Sequence, residues 1–235
     1  MRAVPAGGQD GQRNEQRPGQ ELEGKSDDGG AQPCEIGLSL AADVEEAGVE
    51  GERDGQPVPI SHGTGFAVSP THIVTNAHVV EMASFDNSVQ IVIVPSDGTQ
   101  SYRARVTASL PRKDLALLQL TSGGLVPASI FAGVSEDGAD VFAIGYPASV
   151  DAALEQSEAD VLRPQQPVKT RGAVSSGRTS KSVESLLHTA PIAPGNSGGP
   201  IVDACGRVLG INSFGSVPTD GGVEFYFAIS ARELS

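Results

Sequence analysis

Three side chains, far apart along the chain, have the types that acyl-transfer chemistry requires. Ser197 lies in Pro194-Gly195-Asn196-Ser197-Gly198-Gly199-Pro200, where glycines crowd a single hydroxyl. A serine hydroxyl is a weak nucleophile near neutral pH, so it needs a base within hydrogen-bond reach and a third group to orient that base. It also needs donors for the developing oxyanion, and glycines permit the torsions that aim backbone N–H groups at one point. Taken alone, the segment is a glycine-rich turn. His78, in Ile-Val-Thr-Asn-Ala-His-Val-Val, ends an apolar run where a strand gives way to a turn, a place from which a rigid scaffold can present a general base. Asp114 opens Asp-Leu-Ala-Leu-Leu-Gln-Leu, between the polar Pro-Arg-Lys and a buried strand, where it can accept the second imidazole N–H. The competing readings are a core-edge histidine and a turn aspartate. His62, His72, His78 and His188 form neither a close pair nor a cluster with cysteine at ligand spacing, so no metal and no cofactor is expected.

The elements that must position these residues are strands. From Ile60 onward, β-branched runs alternate with turn signals: GFAVS, HIVTNAHVV, SVQIVIV, YRARVTASL, LALLQL, DVFAIGYP, VKTRGAVSS, SLLHTA, GPIVD, RVLGINSF and EFYFAIS. About eleven short strands at near-regular spacing predict an all-β sandwich or barrels. VQIVIV, with almost no polar alternation, predicts a strand buried on both sides. Ala148–Gln166 interrupts the rhythm as a connector between two comparable sets of strands, and no internal repeat is evident.

Aromatics are only 4% of the chain and glycine numbers 29 residues, which suits strands and tight turns. The net charge of −13 is concentrated at the start, with 13 acids and 5 bases in residues 1–60. Without a stripe of Lys and Arg, a nucleic-acid partner is not expected. Residues 1–33 have little to bury and predict a disordered acidic tail, and residues 34–59, with IGLSLAADVEEAG, predict a helix or strand that docks on the body. No run of 18 apolar residues predicts a membrane span, and the N-terminus lacks the apolar region of a signal peptide. Cys34 and Cys205 permit one disulfide across a long loop or two free thiols, and spacing does not choose between them. By default the chain is cytoplasmic; pairing of the cysteines would place it in an oxidising compartment.

Together, Gly-Thr-Gly-Phe-Ala-Val-Ser-Pro-Thr-His-Ile-Val-Thr-Asn-Ala-His-Val-Val, DLALLQL and APGNSGGPIVDACGRVLGIN resemble the trypsin-like serine peptidases, most closely the bacterial HtrA (Deg) type. The resemblance spans about Gly63 to Ile229, three motifs in the family's order. It implies two six-stranded antiparallel β-barrels, about 60–145 and 167–235, with the active site in the cleft between them. It implies His78 as general base, Asp114 as its orienting carboxylate and Ser197 as nucleophile. The N–H groups of Gly195 and Ser197 would form the oxyanion hole, and Asn212-Ser213-Phe214-Gly215 would pair with substrate main chain. The implied activity is a serine endopeptidase acting on proteins or peptides. The HtrA type adds peptide-binding PDZ modules and often forms trimers. With the sequence ending near Ser235, no such module is expected, and the oligomeric state stays open.

Ala190–Pro194, Ile192 among them, would wall the pocket for the side chain before the cut, and it contains no acid. Small or aliphatic side chains are therefore expected rather than Lys or Arg. His188 raises the alternative of acidic side chains, although a strand histidine with no second cation nearby reads better as structural. Asn196 excludes activation by a freed N-terminus, because a neutral amide cannot offset a buried ammonium. The alternative function is a catalytically silent, chaperone-like peptide-binding protein on the same fold.

Overall fold

The computed structural model describes residues 44–53, 56–86, 88–96, 101–154, 165–180, 183–216 and 224–234. The expected tail at 1–33 and most of the connector between 148 and 166 lie outside them. Twelve strands form two closed antiparallel barrels, as the motif resemblance implies. The first holds β1 (Val44–Arg53), β2 (Gln56–Ser69), β3 (His72–Thr75), β4 (Gln90–Pro95), β5 (Tyr102–Leu110) and β6 (Leu115–Leu120). The second holds β7 (Asp140–Gly145), β8 (Val168–Ser180), β9 (Val183–His188), β10 (Pro200–Asp203), β11 (Val208–Gly215) and β12 (Tyr226–Ser230).

Around the first barrel the order is β1-β2-β3-β6-β5-β4, and around the second β7-β8-β9-β12-β11-β10. The second sequence is the first displaced by six strands, a repeat of topology without a visible repeat of residues. Two expectations need correction. Val44–Arg53, expected in a docking segment, is an integral strand that closes the first barrel by pairing with both β2 and β4. It escapes the strand pattern because glutamates and glycines surround its few apolar residues, of which Ala47 and Val49 point into the core. DVFAIG, expected in the first barrel, is β7 and opens the second, because its pairing partners are β8 and β10. VQIVIV behaves as expected: Ile91, Val92, Ile93 and Val94 are all buried.

Period-two alternation gives each barrel an interior and leaves a further apolar face outside. Along β6, Ala116, Leu118 and Leu120 fill the first barrel, whereas Leu115 joins Phe66 and Val74 on the opposite face. These three meet Ile144, Tyr146, Val202, Val208, Ile211 and Ile229 of the second barrel in one shared cluster. The connection between barrels is stitched to both: Ala128 N–H donates to Ala67 O at 2.8 Å, and Phe131 N–H donates to Val208 O at 2.9 Å. Two short helices, α1 (Glu81–Phe85) and α2 (Ala148–Ala153), follow β3 and β7.

Phe66 is fully buried at this junction. Phe66→Ala is expected to lower the unfolding free energy by about 3–5 kcal/mol, through lost transfer energy and the cavity left behind. Urea denaturation measures it as a fall in the midpoint.

Candidate active site

After β3 the chain passes through Asn76 and Ala77 into a 3-10 turn, His78–Val80. Val79 and Val80 are buried in the first-barrel core and anchor this turn, while the His78 side chain stays 48% exposed. Fully buried Asn76 donates its Nδ2 to the Asp114 carbonyl at 2.9 Å, tying the histidine turn to the β5–β6 hairpin. In that hairpin Asp114 takes a left-handed φ of 53°. The conformation costs a residue with a Cβ roughly 1–2 kcal/mol, and aspartate is among those that adopt it most readily.

The Asp114 carboxylate is held from three directions. His78 N–H donates to Oδ1 at 3.1 Å, His78 Nδ1 lies 2.9 Å from both oxygens, and the Ser213 hydroxyl donates to Oδ2 at 2.7 Å. A carboxylate can only accept, so Nδ1 carries the ring proton and Nε2 keeps its lone pair. The hydrogen bond to Asp114 raises the His78 pKa above 6.5; desolvation opposes the shift, and the charges of Asp114 and Glu81 reinforce it. For Asp114, burial opposes ionisation, but the bonds from His78 and Ser213 outweigh it and its pKa falls below 3.8. A cleft of about 170 Å³ opens beside the pair, lined by Glu81 and Phe85 among others.

Ser197 comes from the second barrel, in the turn before β10. Gly195 and Gly198 have φ of 100° and 86°. A Cβ on Gly195 would collide with the Tyr146 carbonyl, and one on Gly198 with the Thr64 carbonyl and Thr75 hydroxyl, so both torsion and space require glycine. Successive peptide groups of the turn are pinned. Ala148 N–H donates to Pro194 O at 2.9 Å, Asn196 N–H to Ala193 O at 3.0 Å, Gly199 N–H to Asn196 O at 3.0 Å and Gly198 N–H to Asn212 O at 2.8 Å. On the carbonyl side, the Thr64 hydroxyl donates to Gly195 O at 2.7 Å and Thr64 N–H to Ser197 O at 2.8 Å. Within the turn, the N–H groups of Gly195 and Ser197 have no acceptor among the described residues. Since a trans peptide sets N–H opposite C=O, the bond from Ala148 to Pro194 O turns the Gly195 N–H the other way. Ser197 Oγ donates to Ser213 O at 3.2 Å and is not hydrogen-bonded to His78.

The structure therefore brings Ser213 between the other three residues, through its side chain to Asp114 and through its carbonyl to Ser197. Its expected substrate-pairing segment continues as Phe214, 58% exposed and stacked on Phe227 at 4.7 Å, and Gly215, paired with Tyr226. On the other side of β11, pairing with β10 stops at Ile211, which leaves the edge from Ser213 to Gly215 without a strand partner among the described residues. Ile192 is half-buried against the second-barrel core. Asn196, nearly fully buried, accepts a long bond from Ala193 N–H at 3.4 Å, which orders the turn from within. His188 is fully buried and stacked on Tyr226, and desolvation lowers its pKa to about 4. Cys205 is disulfide-bonded; Cys34 lies outside the described residues.

A family model for the trypsin-like peptidase domain matches residues 63–211. The chain belongs to the trypsin-like peptidases. Among curated relatives, it is 37% identical over 163 residues to the mitochondrial serine protease HTRA2 of Bos taurus, covering 68% of this chain and 32% of that protein. It is 35% identical over 161 residues to the chloroplastic Protease Do-like 1 of Arabidopsis thaliana, covering 66% and 34%. To the serine protease Do-like HtrA of Bacillus subtilis it is 33% identical over 165 residues, covering 69% and 34%. These relatives support the HtrA-type resemblance carried by the motifs. The chain spans about a third of the length of each of these three.

Sequence reasoning missed the roles of Asn76, Thr64 and the Ser213 hydroxyl. For Thr64 a signal existed: it shares strand parity with Phe66, so it faces the second barrel as Phe66 does.

The paired titrations predict a pH window. The Asp114 contribution to stability is present above 3.8 and fades as pH falls through its lowered pKa; that of His78 is complete below 6.5 and fades as pH rises through its raised pKa. NMR titration of His78 is expected to give a midpoint above 6.5 that moves back toward 6.5 in Asp114→Asn. The stability advantage of wild type over Asp114→Asn shrinks as pH rises through that midpoint.

Proposed function

We propose that the chain is a serine endopeptidase that hydrolyses peptide bonds through an acyl-enzyme on Ser197, after small or aliphatic residues. The observation that carries the reading is the pair of uncommitted N–H groups at Gly195 and Ser197, in a turn whose neighbouring peptide groups are all engaged. Such donors stabilise the charge that develops on a carbonyl oxygen when the neighbouring hydroxyl attacks. His78 Nε2 takes the Ser197 proton during attack and returns it to the leaving amine, and Asp114 holds the ring and stabilises the imidazolium. Water then repeats the sequence on the acyl-enzyme. The Ser197 hydroxyl turns from Ser213 O to His78 Nε2 as substrate binds, since catalytic hydrogen bonds tighten in the substrate complex.

Substrate main chain would add to the open edge at Ser213–Gly215. The side chain before the cut would lie between that edge and Ala190–Pro194, which bears no charge. A Cβ on Gly215 would stand 3.0 Å from the Tyr226 ring, so Tyr226 occupies the space against Gly215 and favours a small occupant.

Fluorophosphonate labelling, with casein hydrolysis and peptide-library profiling, tests the reading. Wild type is expected to label, and Ser197→Ala to lose labelling and to lower kcat about 10⁶-fold. Activity is expected to fall on the acid side with a midpoint above 6.5, where His78 becomes protonated. An unlabelled wild type that suppresses aggregation equally well as Ser197→Ala would instead identify a silent peptide-binding protein.

A further inference from the structure

We infer that Thr64 is a positioning residue for the oxyanion turn: its hydroxyl clamps the Gly195 carbonyl and so fixes the Gly195–Asn196 peptide, which lies between the two peptides that carry the Gly195 and Ser197 N–H groups. The inference rests on the peptidase reading of Ser197 and deepens it by naming what holds the site in its reactive form.

The clamp follows from the freedom of the turn. Gly195 has no Cβ to oppose rotation of its neighbouring peptide groups, so the glycine that permits a φ of 100° also permits the turn to leave it. Something outside the turn must hold it. Thr64 is fully buried and belongs to β2 of the opposite barrel. Its hydroxyl has one proton, which goes to Gly195 O at 2.7 Å, and its oxygen accepts from Tyr146 N–H at 3.1 Å. Both functions of the hydroxyl are therefore committed, one to the oxyanion turn and one to the end of β7. Thr64 N–H holds Ser197 O at 2.8 Å, and Thr64 O accepts from the Thr75 hydroxyl at 2.8 Å, just before the histidine turn. One residue of the first barrel thus fixes the carbonyls on both sides of Asn196 while it is braced against the strand that leads to His78.

Replacing the hydroxyl with a methyl removes the donor to Gly195 O and the acceptor that Tyr146 N–H uses, and the Gly195–Asn196 peptide regains water or a new partner only by rotating. The rotation takes Asn196 N–H off Ala193 O, the bond that closes the turn across Pro194 and Gly195, and so loosens the peptide that carries the Gly195 N–H. The loss therefore falls on the transition state, whereas substrate binding along β11 does not pass through Thr64.

Thr64→Val and Thr64→Ser separate the hydroxyl from the shape of the side chain. Thr64→Val is expected to lower kcat and the rate of fluorophosphonate labelling about tenfold to a hundredfold, less than outright removal of an oxyanion donor. KM stays close to wild type, as does peptide affinity measured on a Ser197→Ala background. Thr64→Ser, which keeps the hydroxyl, recovers most of the rate. A folded Thr64→Val that labels at the wild-type rate overturns the assignment, and so does a Thr64→Ser as slow as Thr64→Val. If Thr64→Val does not accumulate as folded protein, Thr64→Ala is compared with Thr64→Ser by the same criteria. A wild type that fails to label overturns the peptidase reading and the clamp with it; a labelled wild type matched by Thr64→Val overturns the clamp alone.

Discussion

The contact between the barrels is the constraint on which everything else depends. His78 and Asp114 stand on the first barrel and Ser197 on the second, so no local structure can set their mutual distance. The distance is set where Phe66, Val74 and Leu115 meet Ile144, Val202 and Ile211. Apolar packing of this kind is non-directional, and by itself it would tolerate small slides of one barrel on the other. Direction comes from the polar bonds at its margin, Thr64 to Gly195 and Ser197, and Ser213 to Asp114. Held beside an apolar cluster, the buried Thr64 bonds act in a medium of low dielectric and are stronger than they would be in water.

A third tie reaches the same region from the C-terminal 3-10 turn, Ala231–Leu234. Lys113, the neighbour of Asp114, pairs with Glu233 at 2.6 Å, and Glu233 also accepts the Glu184 N–H at 2.7 Å. The hairpin that carries the strained Asp114 is thus attached to β9 of the second barrel. The left-handed backbone at Asp114 persists because its carbonyl, its carboxylate and its neighbouring lysine are all engaged.

Glycine and its restraints form a second theme. The turn around Ser197 needs positive φ and close approach, which only glycine supplies, yet glycine alone specifies no conformation. Asn196 supplies part of the order from within, through Ala193. Ala148 and Thr64 supply the rest from outside, by holding Pro194 O and Gly195 O. A charged partner for residue 196 is not needed, which accords with an amide at that position.

Much of this was legible in the sequence. Period-two runs and turn residues specify strands locally, so eleven of the twelve stood out, whereas the region of β1 stayed between helix and strand because its glutamates and glycines hide the two apolar side chains that fill the core. The types and order of His78, Asp114 and Ser197 pointed to the proposed chemistry, since each sits where a strand meets a turn. What the sequence could not determine is which strand closes which barrel, because pairing is a long-range choice; DVFAIG has the same pattern whether it ends one barrel or begins the next. Nor could it show that the Ser213 hydroxyl turns to Asp114, or that Thr64, an ordinary strand threonine by its neighbours, spends both functions of its hydroxyl on the other barrel. Those are properties of two surfaces brought together, and hydrogen bonds between residues 131 positions apart leave no trace in local spacing.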